Sequence, residues 1–245
     1  MDPVFLSLIA LIACLYSAVG HGGATGYLAL MSVYGIAPEI MAGTALTLNC
    51  LTAGIALIAY QRAGYLSLKL TMPFIVISIP CAFLGAWLPL REAHYSLLLA
   101  TVLILAAGRL FFYNKTATSC ETFVKPPSFK VTVPVGAVLG FLSGAVGIGG
   151  GVFLSPVIIL ANWADAKTTS ATAALFILAN SISGLVARGI SGSLYLADMA
   201  PLMLVALTGS LIGSFSGARL DSSNSLRRLL AIVLIVAVAK MFLPK

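Results

Sequence analysis

Charge is what this chain has least of. Of its 245 residues only 9% are Asp, Glu, Lys or Arg, and 60% are hydrophobic, against roughly 25% charged and roughly 45–50% apolar in soluble domains. Such a composition cannot clothe a water-facing surface, which excludes a soluble enzyme. Histidine is nearly absent: His21 and His94 are the whole supply, with no serine–histidine or metal-ligand spacing around them. An intramembrane enzyme is disfavoured on that ground, and neither metal nor cofactor is expected. Cys14, Cys50, Cys81 and Cys120 stand singly, three of them inside apolar runs, so no disulfide framework is indicated. No carboxylate interrupts the middle of a long apolar run, which argues against a carboxylate proton relay of the kind pumps use.

What the chain has is hydrocarbon in span-sized pieces. Its mean hydropathy is +1.07, and apolar stretches fall at about residues 3–20, 26–37, 40–61, 68–90, 94–113, 131–147, 152–162, 168–190, 196–218 and 225–244. A helix needs about twenty residues to cross a hydrocarbon core of roughly 30 Å. Eight stretches meet that length; 26–37 and 152–162 do not. The expected architecture is an all-α integral membrane protein with about eight long helices and two short ones. The opening MDPVFLSLIALIACLYSAVG has no basic leader and no convincing cleavage site, so it reads as a retained first helix.

A polar, proline-bearing segment from Asn114 to Lys130 divides the chain into a first membrane half, 1–113, and a second, 131–245. The net charge of +7 sits at segment ends and in loops, where topology explains it without a nucleic-acid partner. An odd number of crossings per half, either three with a V-shaped broken first element or five, puts ten of the fourteen basic residues on the linker side. An even number sorts them less cleanly. The odd count makes the linker cytoplasmic and both termini external.

The halves resemble each other. SAVGHGGATGYLAL from Ser17 parallels SGAVGIGGGVFLSP from Ser143, and a shift of 128 pairs Thr44 with Thr172, Gly64 with Gly192, Pro73 with Pro201, Gly85 with Gly213 and Arg91 with Arg219. With an odd crossing number this is a tandem duplication of inverted topology. Inverted repeats with helices interrupted at matching positions point to a secondary transporter whose site lies where the repeats meet.

The interruptions are glycine clusters, Gly20 to Gly26 and Gly147 to Gly151, each followed directly by an undersized helix. Unwound backbone in a bilayer must be buried in protein or line a wet cavity, so the two breaks are expected to meet near the centre. A half-helix starting after each break offers bare N–H groups and a positive dipole end, which suits an anion. Isolated glycines such as Gly54, Gly85, Gly184 and Gly213 read instead as close-packing positions.

The motif AVGIGGGVFLSPVIIL, its degenerate partner AVGHGGATGYLAL and the downstream GTAL and ATAAL segments resemble the sulfite exporter TauE/SafE family over residues 3–244. The resemblance implies a bacterial inner-membrane permease carrying small sulfur-containing or organic anions such as sulfite, sulfonates or sulfoacetate. The partners it implies are that anion and the lipid bilayer, with a homodimer left open.

The substrate-binding set read from the residues is His21, Gly22, Gly23, Thr25, Thr44, Asn49 and Thr52 in the first half, with Gly149, Gly150, Gly151, Ser155, Thr172 and Asn180 in the second. An imidazole at membrane depth is costly and by default functional. The hydroxyls and amides are neutral donors for an anion, although a Ser or Thr more often bonds back to its own helix. Arg109 and Arg188 end apolar runs and read as snorkelling residues. Glu39 and Asp165 read as first-turn acids and Asp198 similarly. An inside-negative potential favours anion efflux by ~2.3 kcal/mol per charge per 100 mV, so export of a monoanion needs no coupled ion. The competing readings are a passive anion channel and a proton-coupled importer with His21 on the proton route.

Overall fold

The computed structural model describes residues 2–88, 92–112, 127–196 and 199–219. Arg91, Cys120, Asp198, most of the linker, the side chain of Arg109 and the final apolar stretch lie outside the described residues. Helices α1 (Pro3–Ser17), α2 (Ala24–Val33), α3 (Pro38–Arg62), α4 (Leu68–Trp87) and α5 (Glu92–Phe112) form the first half. The second holds α6 (Phe129–Leu142), extended by a π turn at Ser143–Gly147, then α7 (Gly151–Leu160), α8 (Ala166–Ile190) and α9 (Met199–Arg219). Among the described residues every regular element is helical, and the protein is an all-α multi-pass membrane protein. Large apolar side chains such as Val76, Leu84, Leu97, Ile104, Val186, Leu204 and Ile212 face outward, where lipid rather than water receives them.

The expectation that residues 3–20 form a full-length crossing is corrected here. Helix α1 has only 15 residues, about 22 Å at the helical rise, because the chain turns at Ala18–Gly20 and cannot continue past the left-handed Gly20 (φ +73°). The 10-residue α2 then folds back along α1. Gly26 lies against Ile12 and Tyr16, the Phe5 and Tyr34 rings are 4.8 Å apart, and the Tyr34 hydroxyl donates to Asp2 Oδ2 at 3.3 Å. The first element is therefore a V-shaped hairpin whose two ends share one face, here the Asp2 face, and whose tip lies inside the protein. The second break builds a like hairpin: Gly150 abuts the Leu139 carbonyl, and Leu154 and Ile158 of α7 pack with Val135 and Leu139 of α6.

Helices α3 and α8 both run 25 residues, displaced by 128, and each is followed by a left-handed glycine, Gly64 (φ +81°) and Gly192 (φ +70°). They cross side by side in opposite directions. The start of α3 at Gly43 meets the backbone of Tyr195 beyond the end of α8, Leu46 meets Gly184, and Tyr60 near the end of α3 packs on Ala171 at the start of α8. Lys167 stands over the Tyr65 ring at 5.3 Å on the face opposite Asp2. Pro38 opens α3 with Glu39 in its first turn, and Asp165 caps α8 by accepting the Lys167 and Thr168 amides, so both acids serve helix N-termini.

Hairpin arms pack on the outer crossing helices in crossed fashion, α1 along α9 and α6 along α4. Close approach explains both contacts. Gly136, Gly140 and Gly144 of α6 face the carbonyls of Phe74, Ser78 and Ala82, while Gly209, Gly213 and Gly217 of α9 face those of Ala10, Cys14 and Ala18. A Cβ at any of the six would fall within 3 Å of a carbonyl oxygen, so small residues here set the helix separation. Gly85 and Gly184 also pack closely, as the sequence suggests, whereas Gly54 has nothing within 4 Å of a would-be Cβ and is no packing glycine.

Candidate functional site

The two breaks meet. A Cβ on Gly22 would lie 2.3 Å from Asn49 Oδ1, and one on Gly149 would lie 2.7 Å from Asn49 Nδ2; the Ile177 side chain approaches both. Asn49, in the middle of α3, thus stands between the tips with one amide atom toward each. Its Oδ1 accepts the Ala24 amide at 3.1 Å, supplying from another helix the N-terminal cap that Gly23 cannot. Its Nδ2 is buried and has no partner among the described residues. One turn on, Thr52 Oγ1 donates to the Gly22 carbonyl or to Leu48 O, both within reach.

The tips are joined by a side-chain bridge. His21 Nε2 and Ser155 Oγ, from the first break and the first turns of α7, are 3.0 Å apart. His21 Nδ1 lies 2.8 Å from the Val19 carbonyl, and Ser155 Oγ lies 2.9 Å from that of Gly151. Because a carbonyl only accepts, Nδ1 carries a proton in this arrangement. A protonated Nε2 then donates to Ser155, which donates to Gly151, and the chain is complete; with Nε2 neutral, the single hydroxyl proton serves either His21 or Gly151.

Asn180 is fully buried, and neither Oδ1 nor Nδ2 has a partner among the described residues. Helical spacing places it on the stripe between Phe176, which meets Gly150, and Gly184, which lies beside Gly144. It therefore faces the second break. No side chain caps α7, since Gly150 is its N-cap and Ile177 occupies the position on α8 that Asn49 holds on α3. Half-helix N-termini, two amide side chains and an imidazole–hydroxyl pair thus lie at the two breaks, a cluster rich in hydrogen-bond donors.

The other residues of the expected set have the following surroundings. Thr25 bonds the Tyr16 hydroxyl at 3.1 Å. Thr172 faces α4, where Thr71 donates to it at 3.1 Å. Thr44 is buried on α3 beyond Ala42, whose backbone abuts Gly147. Gly23 and Gly150 are the left-handed caps of the half-helices (φ +95° and +77°), and Gly151 packs on Ile177.

Four polar residues outside the expected binding set hold the break carbonyls. Tyr60 donates to Ala18 O at 3.0 Å and Ser170 to Val19 O at 2.9 Å. At the second break Tyr95 donates to Val146 O at 3.2 Å, and Arg188 Nη2 donates to Gly144 O and Ala145 O at 3.1 and 3.2 Å. Arg188 therefore turns inward, correcting the expectation that it snorkels: the carbonyls left orphaned where α6 unwinds attract the guanidinium more strongly than the interface does. The shift of 128 pairs Tyr60 with Arg188 and was the available signal.

Buried backbone breaks, an outward apolar shell and a polar centre define a polytopic membrane protein built around two interrupted helices. Comparison with known proteins gives the family. Residues 5–241 match the model of the sulfite exporter TauE/SafE family, and the chain belongs to that family. It is 36% identical over 233 residues to "Probable membrane transporter protein y4hK" of Sinorhizobium fredii, covering 94% of both chains. It is 27% identical to "Probable membrane transporter protein YjnA" of Bacillus subtilis, covering 94% of this chain and 95% of the relative. No solved structure matches the chain.

Proposed function

We propose that this transporter exports small sulfur-containing or organic oxyanions, sulfite, sulfonates and sulfoacetate among them, by alternating access around the two break tips. The observation that carries the reading is Asn49, wedged between Gly22 and Gly149 with its Nδ2 buried and unpartnered. A buried donor left unmade costs about 1–3 kcal/mol, and a bound oxyanion removes that cost. The opposed courses of α3 and α8, the crossed pairing of α1 with α9 and α6 with α4, and the common offset of 128 support two repeats of inverted topology. In this reading the repeats span 1–113 and 131–245, the 114–130 linker is cytoplasmic, the Asp2 face is external, and the protein sits in a bacterial inner membrane. The membrane potential drives monoanion efflux without a coupled ion.

Proton-coupled import is the second reading, favoured by the His21–Ser155–Gly151 chain that a protonated imidazole completes. Flux of sulfite, thiosulfate, sulfoacetate, taurine and simple carboxylates in proteoliposomes, with and without imposed potential and pH gradients, decides between them. Saturable flux set by potential alone supports export. Flux that needs a proton gradient supports import, and flux that never saturates makes the protein a channel.

A further inference from the structure

A cavity of about 310 Å³ opens on the Asp2 face between the ends of α4 and α8 and the start of α3, and reaches down to Ala145 in the π turn. Arg188 lines it, with Tyr95, Trp87, Ser191, Ser193 and Tyr195. Arg188 is the distinctive group. Among the described residues its bonds go to two carbonyls, which are neutral, and its Nε is buried without a partner. A guanidinium drawn into low dielectric and served only by carbonyls keeps an uncompensated charge, which attracts an anion strongly. Glu39, the acidic residue among those lining the cavity, is exposed in the first turn of α3, where the helix N-terminus already favours its charge.

We infer that this cavity is a second anion site, a vestibule on the Asp2 face in which Arg188 binds a sulfonate or carboxylate group and hands it to or receives it from the central site. The inference rests on the anion-transport reading but concerns different residues. A planar guanidinium recognises two oxygens of one oxyanion at once, a geometry that an ammonium cannot reproduce. The counterpart of Arg188 in the first half, Tyr60, bonds the Ala18 carbonyl through a neutral hydroxyl, so the first break is not held by a guanidinium at that position.

Trp87 lies in the cavity wall, and the chain's other tryptophan, Trp163, packs on Phe74 at the second hairpin. Purified full-length Trp163→Phe protein therefore reports the vestibule by fluorescence. Iodide is expected to quench Trp87 saturably, methanesulfonate and acetate to displace it, and neutral acrylamide to quench regardless. Arg188→Gln should weaken the methanesulfonate midpoint at least about tenfold and Arg188→Lys by less, with acrylamide quenching unchanged. Glu39→Gln, which leaves the Arg188 bonds in place, should tighten it. An unchanged midpoint in a folded Arg188→Gln protein, or a weaker one in Glu39→Gln, overturns the inference; the second result stands even where the Arg188 variants fail to fold. Transport of no anion in proteoliposomes with the Trp87 response intact would sink the transport reading and leave the vestibule. Saturable anion transport with no Trp87 response would do the reverse.

Discussion

The two breaks share a backbone and differ in chemistry. Gly20 and Gly147, and Gly23 and Gly150, take left-handed conformations at corresponding points, and each pair frames a turn from one hairpin arm to a 10-residue half-helix. Around the first turn the polar partners are neutral: Asn49 caps α2, and Tyr60 and Ser170 hold the carbonyls. Around the second, α7 goes uncapped beside Ile177, Asn180 is unpartnered, and a guanidinium holds the carbonyls. The first break is thus satisfied by the protein itself and the second is left open. In the proposed site, that asymmetry makes α7 and Asn180 the groups whose loss should cost binding most, with Asn49 reaching across from the finished side.

The largest effect is expected from breaking the open side. Gly150→Leu places a side chain at φ +77° with its Cβ within 2.9 Å of the Phe176 ring, where left-handed backbone alone costs roughly 1–2 kcal/mol. Transport should be abolished in protein that still inserts, while Gly54→Leu, in open space, should transport normally; full flux through the Gly150 variant would remove the break from the mechanism. The comparison sharpens with the two asparagines. Asn49→Ala loses the α2 cap, about 1 kcal/mol, together with the ligand donor, so both melting temperature and substrate affinity should fall. Asn180→Ala loses no protein hydrogen bond, and relieving a buried unpaired amide should leave the free protein as stable or more so while affinity drops roughly tenfold. Thermal melts with and without sulfite check this, and equal destabilisation in both variants would show the breaks to be alike. The smallest effect is expected at the bridge: His21→Gln keeps a hydrogen-bonding group but cannot titrate, so any dependence of flux on pH over roughly 5 to 8 should flatten. An unaltered profile would make His21 a packing residue.

Much of this was legible because hydropathy and glycine are local signals. Apolar runs located eight of the nine described helices to within a few residues, and the undersized 26–37 and 152–162 stretches became α2 and α7. The V-shaped alternative for the first element was also available from charge counting. Length misled at α1, where an apolar turn at Ala18–Val19 reads as helix until the left-handed Gly20 shows otherwise. Asn49, Asn180, His21 and Ser155 were legible as candidates because polar groups in hydrocarbon are expensive wherever they point. Thr172 was grouped with them on a matched position, yet its hydroxyl turns to Thr71. Tyr95 gave no signal, since a tyrosine near a span end is ordinary in membranes, and Tyr60 gave only its register match with Arg188.

Composition and pattern alone determined that the chain lives in a bilayer, that its helices are interrupted at two points, and that small residues recur where helices touch. Transfer from water to lipid acts residue by residue, and so does the freedom of glycine to turn left. Only the tertiary structure decided that α2 doubles back, that Asn49 falls between both tips, and that Arg188 points inward to Gly144 and Ala145 instead of outward to the interface. Those choices depend on which carbonyls a neighbouring helix leaves unsatisfied, a property of the packed pair that neither segment carries by itself.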